Sequence, residues 1–183
     1  MNQPAGKTRT ARTRLILRPL LQDDAELYCQ LYTDAETMRF IGTPLSRAQA
    51  LRRFRRLLQR LQGDHPAPEL FYAVVEQASA RAVGICSLQR LDVRQRHVEA
   101  GIILTAPARV LGYSKEAYAG AVDLAFRMLP VDQVRAQIAP DHRAARGLLL
   151  NVGFSRVCKA DPDHTSHRWC LWSIDRGSWC KRR

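Results

Sequence analysis

Acidic residues are scarce: 17 Asp and Glu stand against 29 Lys and Arg over 183 residues, a formal net charge of +12 at pH 7. That imbalance says little about fold, but it draws polyanions and acidic partners from a distance, most strongly at low salt. Lysine is scarce as well. Arginine supplies nearly all of the positive charge, which favours bidentate contacts with carboxylate or phosphate over diffuse attraction. No apolar stretch approaches the ~18 residues a membrane span needs. The basic first residues have no apolar centre, which excludes a secretory signal. The cysteines, Cys29, Cys86, Cys158, Cys170 and Cys180, are odd in number and scattered. They exclude a small disulfide framework and point to a reducing cytoplasm. Internal repeats and low-complexity linkers are absent.

What is present suits one globular domain. Hydrophobic content of 46% and charged content of 25% are ordinary, and a chain of this length buries roughly 70% of its unfolded surface. Residues 1–12 are polar and aperiodic, a mobile basic tail, and 13–183 form the domain. Leu15 to Leu20 reads as a strand ended by Pro19, and Asp23-Asp24 open a helix running to about Thr33. Ser46 and Gln49 have capping-box spacing at the head of a second helix ending near Gln62, whose apolar face carries Leu51, Phe54, Leu58 and Leu61. The period then changes. Phe71–Val75, Ala82–Leu88 and His97–Leu104 read as strands joined by short polar turns, hence antiparallel neighbours. A helix over Lys115–Met128, a strand over Val131–Ala139 and a helix from Arg143 to Asn151 capped by Gly153 follow. Two strands, Phe154–Val157 and Arg168–Ile174, close the chain. The expectation is an α/β (α+β) domain: one mixed, mostly antiparallel sheet flanked by about four helices. Cys86 falls in an apolar strand and reads as a core residue.

The most informative stretch is Arg109-Val110-Leu111-Gly112-Tyr113-Ser114, set between the apolar run Ile102-Ile103-Leu104 and a helical pattern. A strand emptying through a glycine turn into a helix gathers unpaired N–H groups and the positive helix end at one point, which suits a phosphate. Arg109 adds charge. The competing reading is an ordinary connection in which Ser114 caps the helix and Gly112 supplies a positive φ.

Further stretches fall into a recognisable order. Arg14-Leu15-Ile16-Leu17-Arg18-Pro19-Leu20 with Asp23-Asp24-Ala25 comes first, then Phe71-Tyr72-Ala73-Val74-Val75 with Val83-Gly84-Ile85. Next come Glu99-Ala100-Gly101-Ile102 through Ala117, the late helix Arg143 to Phe154, and Ser173-Ile174-Asp175-Arg176 with Trp179. Together they resemble the GNAT superfamily of acyl-CoA-dependent N-acetyltransferases, in particular its ribosomal-protein N-terminal acetyltransferase branch. The resemblance spans about residues 12–180. It implies acetyl-CoA as cosubstrate, no metal, a diphosphate held by the amides of 110–114, and a pantetheine arm paired with backbone groups of Ile103, Leu104 and Thr105. There the strand is expected to splay from its neighbour, with a β-bulge as the device. Val110 stands where the family usually has glycine.

The chemistry implied needs a neutral amine, a polarised thioester carbonyl and a departing thiolate. An alkyl ammonium has a pKa of about 10 and an α-amino group about 8, and a general base contributes about 10²–10⁴-fold. Glu99, at the family's glutamate position, is the candidate base; the alternative is a solvent-facing strand residue paired with an arginine. A backbone N–H near Leu104 is the candidate oxyanion donor. His142 stands where the family often has asparagine. It is either a proton donor or coenzyme contact, or simply a polar cap of the late helix. Ala145, where a serine or tyrosine is common, donates nothing.

Two other groupings carry alternatives. Cys158, Asp161, Asp163, His164, His167 and Cys170 crowd a turn and offer zinc-like residue types, yet paired Cys spacing is missing and a polar hairpin loop explains them. Arg47, Arg52, Arg53, Arg55, Arg56 and Arg60 surround the apolar face of the second helix: a solvated face, or a surface for an acidic acceptor, RNA or an anionic membrane. The leading function is acetyl transfer to a primary amine, including a protein N-terminus or an acidic acceptor. The rival is a basic RNA- or ribosome-associated module on the same fold with little catalysis. Nucleic acid is the less favoured partner because no RNA-module signature and no arginine–aromatic interleaving is present. Oligomeric state leaves no mark on the sequence.

Overall fold

The computed structural model describes residues 14–63, 69–157 and 169–182. The expected tail, residues 1–12, lies outside the described residues, as do Cys158, Asp161, Asp163, His164 and His167 of the zinc-like grouping.

Alternating apolar residues build seven strands: β1 (Leu15–Pro19), β2 (Leu70–Glu76), β3 (Ala82–Asp92), β4 (His97–Leu104), β5 (Gln133–Ile138), β6 (Ser155–Arg156) and β7 (Cys170–Asp175). They form one sheet in the order β1-β2-β3-β4-β5-β7-β6. Every neighbouring pair is antiparallel except β4 and β5. The expected mixed, mostly antiparallel sheet is therefore present.

Helices are more numerous than expected among the described residues. The long ones, α1 (Ala25–Thr33), α3 (Arg47–Gln62), α5 (Tyr113–Met128) and α6 (Arg143–Val152), match the sequence reading. Three short ones, α2 (Ala35–Met38), α4 (Ala106–Val110) and α7 (Arg176–Cys180), do not. Each has only four or five residues, too few for an apolar period to register. Ser46 and Gln49 form the expected capping box on α3, and Gly153 caps α6 in the left-handed region.

The period-2 alternation of the strands separates two cores. Tyr72, Val74, Cys86, Leu88, Val98, Ala100, Val134 and Trp172 face α5 and α6. Phe71, Ala73, Val75 and Ile85 face α1 and α3, where Phe54 and Leu57 close the layer. Cys86 is fully buried, as expected, and its thiol is pushed up to about 12 by burial. Gly84 is a close-approach position. A Cβ there would sit 2.5 Å from the Ile103 carbonyl oxygen and 2.2 Å from the Leu104 side chain, so only glycine lets β3 and β4 lie together.

Candidate active site

The parallel pair β4–β5 is short. His97 pairs with Gln133, Val98 with Val134 and Glu99 with Arg135, and there the pairing stops. β4 continues to Leu104 against β3, and β5 continues to Ile138 against β7. The two strands part after Glu99, leaving facing backbone edges with no strand between them. This is the expected splay, and a β-bulge accompanies it. β4 stays in register with β3 from Glu99 to Leu104, and the register break lies between Gln89 and Asp92 of β3, where Arg90 adopts φ 51°. The bulge is thus on β3 at the root of the splay rather than on β4 inside it.

Glu99 occupies the last rung. Its side chain, 26% exposed, lies on the sheet face away from α5 and accepts a hydrogen bond of 3.2 Å from Arg90 Nη1. Burial pushes the carboxyl above its ordinary range, while the Arg90 charge and hydrogen bond pull the other way. Both sequence readings of Glu99 therefore describe part of the truth: it is a half-buried acid and it is paired with an arginine. Arg135, its partner on β5, donates to Gln133 Oε1 at 2.6 Å and lies 3.3 Å from His97 Nε2. Burial, then the Arg135 charge, lowers the His97 pKa.

Beyond Leu104 the chain does not run straight into the glycine turn. Thr105 caps α4, which holds Arg109 and Val110, with Pro107 in its first turn. The N–H groups of Arg109, Leu111 and Gly112 donate to Thr105, Pro107 and Arg109 carbonyls at 3.0–3.1 Å. Gly112 then takes φ 72° and sits at the N-cap of α5, correcting the placement of Ser114 as cap: Ser114 is the second residue of that helix. No side chain caps α5. A Cβ built on Gly112 would meet nothing within 4 Å. The first-turn N–H groups of Tyr113, Ser114 and Lys115 thus lack intrahelical acceptors at a helix end bordering open space. That end fits a phosphate group. Val110 and Leu111 are exposed beside it.

Of the backbone groups expected to meet pantetheine, the Leu104 carbonyl accepts from Arg109 Nη1 at 2.6 Å and the Thr105 N–H donates to Val83 at 2.9 Å. Ile103 pairs with Ile85 across β3. Arg109 also donates to Thr37 Oγ1 at 3.1 Å, a contact nothing in the sequence announced.

His142 is the N-cap of α6. Its Nδ1 accepts from the Ala145 N–H at 3.4 Å, and its ring stacks on Phe40 with centroids 4.1 Å apart. Burial lowers its pKa, against the raising effect of Asp141. An Nδ1 that accepts places the ring proton on Nε2, so a neutral His142 keeps one N–H to donate. A cavity of about 430 Å³ on the far side of β5, lined by Ile138, Pro140, Arg146, Phe154 and Trp172 among others, includes neither Glu99 nor any residue of 103–114. Among the described residues no group of His, Cys, Asp or Glu is arranged to hold a metal. Among the described residues no helix is long and apolar enough to cross a membrane.

A strand pair that opens after a half-buried glutamate, followed by an uncapped helix start, has room and donors that suit an acyl-CoA. Residues 14–155 match the acetyltransferase (GNAT) domain. The chain belongs to the GNAT acetyltransferase family. It is an N-acetyltransferase that uses acetyl-CoA to acetylate an amine. This GNAT chain is 22% identical over 144 residues to the uncharacterized N-acetyltransferase p20 of Bacillus licheniformis, covering 78% of this chain and 80% of that protein. The uncharacterized N-acetyltransferase YoaA of Bacillus subtilis strain 168 is similar to the same extent. In fold the chain is similar to spermidine N-acetyltransferase from Vibrio cholerae, solved with CoA and spermine. The TM-score is 0.76 at 18% identity, over 91% of this chain and 98% of the other. An acetyltransferase of Bacillus anthracis is similar with a TM-score of 0.69 at 16% identity, over 89% and 95% of the two chains.

Proposed function

We propose that this acetyltransferase acts in the cytoplasm on an amine that carries a carboxylate close by, as an acidic protein N-terminus does. The observation that carries the reading is the setting of Glu99, with Arg90 3.2 Å away and Arg135 as its register partner. The Arg90 guanidinium beside the base, with Arg135 on the neighbouring strand turned toward Gln133 and His97, favours an acceptor that brings negative charge and opposes a polycation. The exposed Arg52, Arg55 and Arg56 of α3, which have no ion pair among the described residues, extend the same sign of charge. The resemblance to the ribosomal-protein N-terminal branch supports an α-amino acceptor. The fold likeness to a spermidine N-acetyltransferase is a likeness of scaffold.

In this reading the domain is residues 13–183. Acetyl-CoA supplies the activated acetyl thioester. The chain's own contributions follow from position. Arg109, Val110, Leu111, Gly112, Tyr113 and Ser114 form the coenzyme segment, with the first turn of α5 as its anion-binding end. Of Ile103, Leu104 and Thr105, the first and last are engaged with Ile85 and Val83 of β3, so Leu104 presents the β4 edge, and an N–H near Leu104 polarises the reacting carbonyl. Glu99 takes the proton from the acceptor ammonium. Its raised pKa brings it closer to an α-amino group of about 8, which eases that transfer. His142, held neutral by burial, offers Nε2–H as a donor on the β5 side. A thiolate with a pKa of about 8.5 departs without a dedicated acid, which accommodates Ala145.

A thiol-release assay tests the reading. Peptides beginning with acidic residues are compared with peptides beginning with lysine and with spermidine, at one acetyl-CoA concentration. The acidic peptides are expected to react fastest, with the preference shrinking as salt rises. Faster turnover of spermidine than of any acidic peptide overturns the assignment.

A further inference from the structure

α2 and the residues after it touch both strand exits of the splay. On the β4 side, Thr37 Oγ1 accepts a 3.1 Å hydrogen bond from Arg109 Nη1. The same nitrogen donates to the carbonyl of Leu104, the last residue of β4, at 2.6 Å. On the β5 side, the Phe40 ring stacks on His142, 4.1 Å between centroids and 20° between planes. Asp34 caps α2 by accepting from the Thr37 N–H at 2.7 Å. The segment Asp34–Phe40 therefore bridges the two chain exits between which the strands part. Met38, 3% exposed, pins it to the core.

The bridge is built so that the coenzyme segment acts on it. Arg109 spends only Nη1 on the protein; its Nε and Nη2 have no hydrogen-bond partner among the described residues. A guanidinium is a rigid planar fork, so an anion that fixes one edge also fixes the direction of the donors on the other. We propose that Arg109 is a positioning residue that couples occupation of the coenzyme segment to ordering of Asp34–Phe40 through the Thr37 hydroxyl. Coenzyme bound first then presents an ordered wall at the splay. By linkage, whatever that wall binds tightens coenzyme by the same factor. The coupling rests on the reading that residues 109–114 hold the coenzyme.

Hydrogen exchange followed by mass spectrometry, with and without saturating coenzyme A, tests it. The reporting amides are those of Met38, Ile41 and Gly42, which donate to Asp34 and Met38 carbonyls at 2.9–3.0 Å. In the wild type, coenzyme A is expected to slow their exchange several-fold. Thr37→Val abolishes the slowing while calorimetry still shows coenzyme A bound, and Thr37→Ser, which keeps the hydroxyl, restores it. Slowing that survives in Thr37→Val overturns the proposal. So does a wild-type segment whose exchange is indifferent to coenzyme A that calorimetry shows to be bound. If calorimetry finds no coenzyme A bound at all, the coenzyme assignment itself fails and the coupling falls with it.

Discussion

Arg90 Nη1 sits 3.2 Å from Glu99 Oε2, reaching it from a bulge in β3 where the arginine backbone has crossed to φ 51°. The pair balances two opposing influences on one carboxyl. Burial, the larger, raises its pKa, and the arginine lowers it. A carboxyl accepts a proton only when ionised, so the acidic limb of the rate profile lies at the Glu99 pKa. Arg90→Ala removes the lowering influence and is expected to move that limb of kcat/KM to higher pH. Glu99→Gln is expected to lower kcat about 10²-fold, the low end for a general base because an α-amino acceptor is partly neutral already. Coenzyme affinity stays intact. An unmoved limb in Arg90→Ala, or unchanged turnover in Glu99→Gln, removes Glu99 from the base's role.

Gly112 offers a second test because its two constraints separate. Its φ of 72° strains any other residue, yet a Cβ there meets nothing. Gly112→Ala should therefore cost only the backbone strain, about 1–2 kcal/mol. Gly112→Asp adds a negative charge at the start of α5, where an anion is expected to bind. Saturating acetyl-CoA at a hundred times its dissociation constant stabilises by about 2.7 kcal/mol. Thermal shift should show that gain retained in Gly112→Ala, once more ligand is supplied, and lost in Gly112→Asp. Equal gains in both variants would place the diphosphate elsewhere.

These sites differ in how much of them was legible. Gly112 was readable because a glycine just ahead of a helical pattern supplies a positive φ, and Ser46 with Gln49 because a capping box has fixed spacing. The short helices were not, since period needs length, although each left a local mark. Pro107 in a first turn announces α4. Asp34 three residues before Thr37, and Asp175 three before Ser178, announce the caps of α2 and α7. The bulge at Arg90 left none, because a non-glycine residue at positive φ is set by strand pairing on both sides. For the same reason the Arg109–Thr37 and Phe40–His142 contacts were out of reach: they join residues 72 and 102 positions apart, which only the sheet order brings together.

Asp24 is the only fully buried charged residue among those described, at 3% exposure. Arg18 grips it with two bonds of 2.7 and 2.8 Å, and its Oδ2 also accepts from the Leu21 N–H at 2.8 Å. This fork turns the chain from β1 into α1. Removing one member of a buried pair costs about 3–5 kcal/mol; Arg18 is 31% exposed and partly rehydrates, so Asp24→Ala is expected to lose about 2–3 kcal/mol. Urea unfolding should show a lower midpoint at an unchanged slope. An unfolding free energy within about 0.5 kcal/mol of wild type, the range of an ordinary surface substitution, would mean the turn is held by other contacts.

The last prediction concerns His142, whose Nδ1 caps α6 only while it carries no proton. Burial lowers its folded pKa below the usual His value of about 6.5, with Asp141 opposing. The unfolded chain therefore binds the proton more readily. The cap contributes its full stability above about pH 6.5, and that contribution fades as pH falls through the folded pKa. Asparagine caps helices well and does not titrate. The difference in Tm between His142→Asn and wild type is thus expected to shift in favour of the variant between pH 8 and pH 5.5. The Phe40 stack contributes at both pH values, so a gap that stays constant across that range would assign the histidine's structural role to stacking rather than to capping.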